Sequence, residues 1–68
     1  MQGSIGAGIP NAGVSERYQW SLEHVGNGMH ITTIRERPLS DLEVIFTSKD
    51  PRDVHMERVM LLITALEA

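Results

Sequence analysis

The sequence contains no cysteine, which excludes disulfides and thiolate metal sites and fits a reducing, cytoplasmic setting. Aromatic residues are scarce, with one Trp, one Tyr and one Phe, so any stacking platform for nucleobases has few rings to draw on. Cations are outnumbered, six Lys and Arg against nine Asp and Glu, and the net charge is −3. That balance is the reverse of the basic footprint by which duplex-binding proteins neutralise phosphates. Long apolar runs are absent as well. The longest, Val59 to Ile63, falls far short of the ~20 residues of a membrane span. The first residues show neither a basic region nor an apolar stretch of the secretory kind, so no leader is expected.

A 68-residue chain makes at most one domain. At this size only about 60% of the unfolded surface is buried on folding. A core so small supplies no more than about 3–5 kcal/mol and is usually reinforced by a disulfide, a metal or a partner chain. Without cysteine, a histidine–carboxylate metal site or association remains. Hydrophobic content is 41%, ordinary for a folded, soluble chain.

Residues 1–14 read as a flexible arm. Four of the six glycines, Gly3, Gly6, Gly8 and Gly13, lie here with Pro10 and no charge, a composition that is entropically costly to order. Ile5, Ile9 and Val14 are its only anchors. The glycines do not make a phosphate loop, since no strand precedes them and no Lys-Ser/Thr pair follows.

Residues 15–68 read as a single α+β domain, a three-stranded antiparallel β-meander followed by one C-terminal amphipathic helix. The strands are expected at about 17–25, 29–37 and 42–48, and the helix at about 51–66. In the first strand Tyr18, Trp20, Leu22 and His24 alternate with Gln19, Ser21 and Glu23. Gly26-Asn27-Gly28 marks a hairpin. A two-residue Asn27-Gly28 loop would set Trp20 opposite Arg35. A three-residue loop, with Gly28 in a left-handed bulge position, sets Val25 opposite Met29 and Trp20 opposite Ile34, and this register is preferred because it keeps apolar side chains on the Trp20 face. Pro38 closes the second strand, and Leu39-Ser40-Asp41 leads into the third, where Leu42, Val44 and Phe46 share a face.

Ser48-Lys49-Asp50-Pro51 announces the helix, with Asp50 as N-cap, Pro51 in the first helical position and Asp53 near the positive dipole end. His55, Val59, Leu62, Ile63 and Leu66 form one apolar stripe, which Met56 and Met60 widen, while Val54, Leu61 and Ala65 lie on nearly the opposite side. A three-stranded sheet covers only one side of a helix. A homodimer through Val54, Met56, Met60, Leu61 and Ala65 is therefore expected.

No serine or threonine sits in a nucleophile-elbow pattern, and so small a chain does not wall off a catalytic pocket alone. The expected function is a non-enzymatic protein-interaction module, an inhibitor, adaptor or accessory subunit of the kind that phages and mobile elements also encode. It would use no cofactor, and its partners would be a second copy and another protein. Tyr18, Trp20, Arg35 and Arg37 are the expected partner-binding residues, since aromatics and Arg dominate binding energy. Two alternatives are a metal- or small-ligand-binding module built on His24, His30 and His55, with Glu23 or Glu36 completing the set, and a single-stranded nucleic-acid surface of Tyr18, Trp20 and Arg35. Hydrogen-bonded core histidines are the commoner case.

Overall fold

A computed structural model describes residues 11–38 and 40–68. The arm's residues 1–10, with Ile5 and Ile9, and Leu39 of the third connection lie outside the described residues. Four strands, β1 (Ala12–Val14), β2 (Tyr18–Val25), β3 (Met29–Glu36) and β4 (Glu43–Ser48), precede one helix, α1 (Arg52–Glu67). They form a single antiparallel sheet in the order β1-β2-β3-β4. The meander and its C-terminal helix are as expected, but the sheet has four strands rather than three.

The extra strand comes from the segment read as a flexible arm. Ala12, Gly13 and Val14 pair with Ser21, Trp20 and Gln19, and the Leu22 N–H extends the ladder to the Asn11 carbonyl at 2.7 Å. Gly13 is required by close approach. A Cβ added there would lie 2.7 Å from Trp20 Cζ2, so only a residue without a side chain lets the indole lie against β1.

The β2–β3 hairpin has the expected register, with Val25 opposite Met29, Leu22 opposite Thr32 and Trp20 opposite Ile34. Its turn differs. Both Asn27 (φ 67°) and Gly28 (φ 73°) are left-handed, and the Met29 N–H reaches the Gly26 carbonyl at 3.4 Å. Positive φ at both central residues is the pattern of the tight primed turn, and Gly26 is the extra residue that moves the register by one.

That register divides the side chains cleanly. Tyr18, Trp20, Leu22 and His24, with His30, Thr32, Ile34, Val44, Phe46 and Ser48, share the face beneath α1. Leu22 and Ile34 pack there against Met56, Val59 and Ile63 of the helix, bordered by Tyr18, Trp20, Phe46, Leu62 and Leu66. The other face carries Val14, Gln19, Ser21, Thr33, Arg35, Glu43 and Ile45 and has no covering element among the described residues.

The helix begins one residue later than expected. Pro51 is its N-cap, with no side-chain cap hydrogen bond, and Asp50 lies before it. Asp50 instead accepts a hydrogen bond at its carbonyl from His30 Nδ1 (3.2 Å) and places its carboxylate 3.9 Å from Arg58. The other end of α1 is clasped to the β1–β2 connection. Glu67 Oε2 accepts from the Ser15 hydroxyl and from the Arg17 N–H (2.8 Å), and Arg17 Nη2 donates to the Leu66 carbonyl (2.8 Å).

Replacing Gly13 with Ala should destabilise the domain by about 1–3 kcal/mol, the range for forced overpacking. Urea unfolding followed by Trp20 fluorescence measures this, and a variant as stable as the parent would mean that β1 does not pack on the indole.

Candidate interaction surface

The three histidines come together in series. His24 and His30 face each other across the hairpin with ring centroids 4.8 Å apart, and His30 lies 5.5 Å from His55. His55 is fully buried and stacked on Phe46 at 4.7 Å. Both of its ring nitrogens are engaged, Nε2 with Thr32 Oγ1 at 2.7 Å and Nδ1 with Ser48 Oγ at 2.6 Å. A neutral imidazole donates through one nitrogen and accepts through the other, so the two hydroxyls take opposite roles. The ring is a satisfied polar group inside an apolar core.

Among the described residues no group of three or more His, Asp or Glu is placed to hold a metal ion. Glu23 lies on the open face, away from His24, and Glu36 stands six positions along β3 from His30, about 20 Å at strand rise. Ser48 and His55 have the residue types of a nucleophile–base pair. The second nitrogen of His55 faces a threonine, however, not the carboxylate that orients a catalytic imidazole.

The aromatic and arginine residues expected to bind a partner project from different faces of the sheet, with Trp20 and Arg35 both bordering a depression beside β1. Tyr18 and Trp20 are half-buried beneath the helix edge and border the core. Arg35 projects from the open face and pairs with Glu43 at 2.7 Å, an exposed bridge worth about 0–1 kcal/mol. Arg37 Nη1 donates to the Ser15 carbonyl (3.0 Å), and the Arg17 guanidinium lies 5.7 Å from the centre of the Tyr18 ring. These cations tie strand ends to the helix terminus.

The helix strip divides too. Met56, expected at a dimer interface, is 3% exposed and belongs to the chain's own core. Its wheel position borders the His55–Val59–Ile63 stripe, and Leu22 and Ile34 meet that stripe on its sheet side. Val54 is half-buried, whereas Met60, Leu61 and Ala65 remain exposed.

Sequence reasoning missed the outer edge of β4. Leu42, Val44 and Ile45 are 81%, 41% and 59% exposed, and among the described residues β4 pairs only with β3. One row of its backbone N–H and C=O groups therefore has no strand partner among the described residues along its six residues. The opposite edge, β1, is only three residues long, and shortness is one of the ways natural sheets blunt an edge. A cavity of about 200 Å³ opens beside β4, lined by Tyr18, Ile34, Leu42, Val44 and Leu66 among others. On the open face, a depression of about 610 Å³ lies between Val14, Gln19, Ser21, Thr33 and Arg35. Alternation marks the two faces of β4 in the sequence, but strand order alone makes it an edge. Among the described residues no helix is long and apolar enough to cross a membrane.

No family model, curated protein or solved structure matches this chain.

Burial, followed by the neighbouring His30, holds the His55 imidazole below its ordinary value of 6.5, against a smaller upward pull from Asp50. The unfolded chain therefore takes up this proton at higher pH than the folded one. The His55 contribution is full above about pH 6.5 and is lost as pH falls below it. The Glu67 carboxyl is held below its ordinary 4.5 by the Ser15 hydroxyl and then by the Arg17 N–H, so its loss comes only at lower pH. The melting temperature should fall between pH 7 and pH 5, and His55→Gln should be less stable at pH 7 but flatter across that window. An equal slope in both proteins would remove His55 as the cause.

Proposed function

We propose that this chain is a non-enzymatic protein-interaction module that engages its partner by strand addition at β4. The observation carrying this reading is the six-residue edge strand Glu43–Ser48, with Val44 and Ile45 exposed and Leu42 leading into it. Strand addition uses main-chain hydrogen bonds for affinity and alternate side-chain positions for specificity. The β4 sequence offers Val44 and Phe46 on the helix side and Ile45 and Thr47 on the open side. The cavity between Leu42, Val44 and Leu66 lies beside this edge, where a side chain from an added strand would anchor.

Further support comes from how the remaining polar groups are used. The Ser48–His55–Thr32 set is occupied in holding the core together, and Arg17, Arg37 and Glu67 are occupied in clasping the helix end. The exposed Met60 and Leu61 on the helix, 41% and 67% exposed, add apolar surface outside the sheet. A 68-residue chain gains from covering such surface, because a core this small leaves only a few kcal/mol of stability.

A photo-crosslinking residue at position 45, introduced into the full chain in its native cell, should give a discrete adduct, while the same residue at exposed Glu23 in β2 should not. Absence of an adduct at position 45, or equal adducts at both positions, would remove strand addition as the mode of action.

A further inference from the structure

We infer that the strand added to β4 is β4 of a second copy of this chain, antiparallel about a two-fold axis passing through Ile45. This rests on the strand-addition reading above and specifies its partner.

Charge placement carries the inference. Asp41 and Glu43 stand at the N-terminal end of the edge and Lys49 at its C-terminal end. No ion pair among the described residues involves Lys49. Antiparallel self-pairing brings the cation of each copy to the acidic end of the other. An in-register parallel arrangement would set Lys49 against Lys49 and acid against acid, and like charges directly opposite are unfavourable.

Face and burial then select the register. Residues directly opposite in an antiparallel pair project from the same face, so the two partners in each pair must have the same parity. Centring on Ile45 sets Ile45 against Ile45 on the open face and Val44 against Phe46 on the helix face. Glu43 then meets Thr47, and the continuation sets Leu42 opposite Ser48 and Asp41 opposite Lys49. The most exposed apolar side chain of the strand, Ile45 at 59%, is covered by its own copy. Glu43 keeps its bridge to Arg35 and lies diagonal to the incoming Lys49, within reach of a long side chain. Centring on Val44 would set Ile45 against Glu43 and leave Lys49 directly opposite neither acid. Centring on Phe46 would set the exposed Ile45 against Thr47 instead of covering it with Ile45. The Ile45 register alone joins the apolar and charged requirements.

The result is a closed two-fold dimer with one continuous eight-stranded sheet, whose remaining edges among the described residues are the two short β1 strands. Closure matters, because an isologous edge pairing consumes the adhesive strand in both copies and does not propagate into a fibre.

Sedimentation of the full chain from low to high micromolar concentration tests this. The expected result is a reversible dimer of twice 7.6 kDa. Ile45→Lys places two cations on the axis and should be monomeric across that range with an unchanged circular dichroism spectrum. Lys49→Asp should weaken the dimer about tenfold, through two symmetric pairs of unlike charge becoming like, and the exchange Asp41→Lys with Lys49→Asp should restore it. Leu61→Glu on the helix should leave the dimer intact. A monomeric wild-type chain at high micromolar concentration overturns self-pairing, as does a dimer that Leu61→Glu splits and Ile45→Lys does not. If the chain is monomeric while position 45 still crosslinks in the cell, strand addition stands and self-pairing alone is lost. If neither is seen, both readings fall.

Discussion

The register of the β2–β3 hairpin is the constraint on which the rest of the molecule depends. Gly26 adds one residue to a tight Asn27-Gly28 turn, so Val25 pairs with Met29 and Trp20 with Ile34. A slip of one residue in a strand moves its whole side-chain set to the other face. With Trp20 opposite Arg35, β3 would turn Arg35 and Thr33 toward the helix and Ile34 and Thr32 toward solvent. Thr32 would no longer reach His55, and α1 would lose both the apolar floor and the hydroxyl that its buried imidazole requires. A glycine-rich turn of three residues thus decides which face α1 covers, and β4 inherits its own two faces from β3.

Given that register, the helix is positioned from both ends and the middle. Asp50 ties its start to His30, Glu67 ties its end to Ser15 and Arg17, and His55 sits between Thr32 of β3 and Ser48 of β4. A buried imidazole with both nitrogens satisfied costs little, whereas one left unsatisfied would cost about 1–3 kcal/mol. Such a group is specific as well as stabilising, because only one placement of α1 meets both hydroxyls. So placed, the helix covers one face of the sheet and leaves Ile45 on the other exposed.

Much of this was legible in the sequence, and the losses have physical causes. Alternation and the glycine-rich turn carried the correct hairpin pairs, and helical spacing carried the stripe of His55, Val59 and Ile63. β1 was missed because three residues, one of them Gly13, show no alternation, and what orders them is an indole lying where a Cβ would be. The Asp50 cap failed because its carbonyl is drawn to His30 across the sheet, a contact of tertiary origin. Met56 was placed outside because a wheel position at the stripe's margin is decided by how far the sheet side chains reach. Parity separates the Tyr18–Trp20–Arg35 set, since pairing Trp20 with Ile34 puts Arg35 on the other face, although Trp20 and Arg35 still border one depression beside β1. The facing of His24 and His30 was legible from that same pairing, whereas the approach of His55 depends on how α1 lies on the sheet. Its hydroxyl partners were not legible either, because Ser48 and Thr32 reach His55 only through the β3–β4 ladder and the way α1 lies on it.

The account therefore turns on the solvent-facing side of β4 and what meets it. Isotope-filtered NMR on a mixture of labelled and unlabelled full chain reads this directly, because it records only contacts between copies. The account predicts intermolecular contacts from the Ile45 methyl groups to Ile45, and from Val44 to Phe46, with slowed exchange of the outward β4 amides that is lost on dilution. Absence of these contacts at high micromolar concentration, with β4 amides exchanging as fast as those of an open edge, would contradict it.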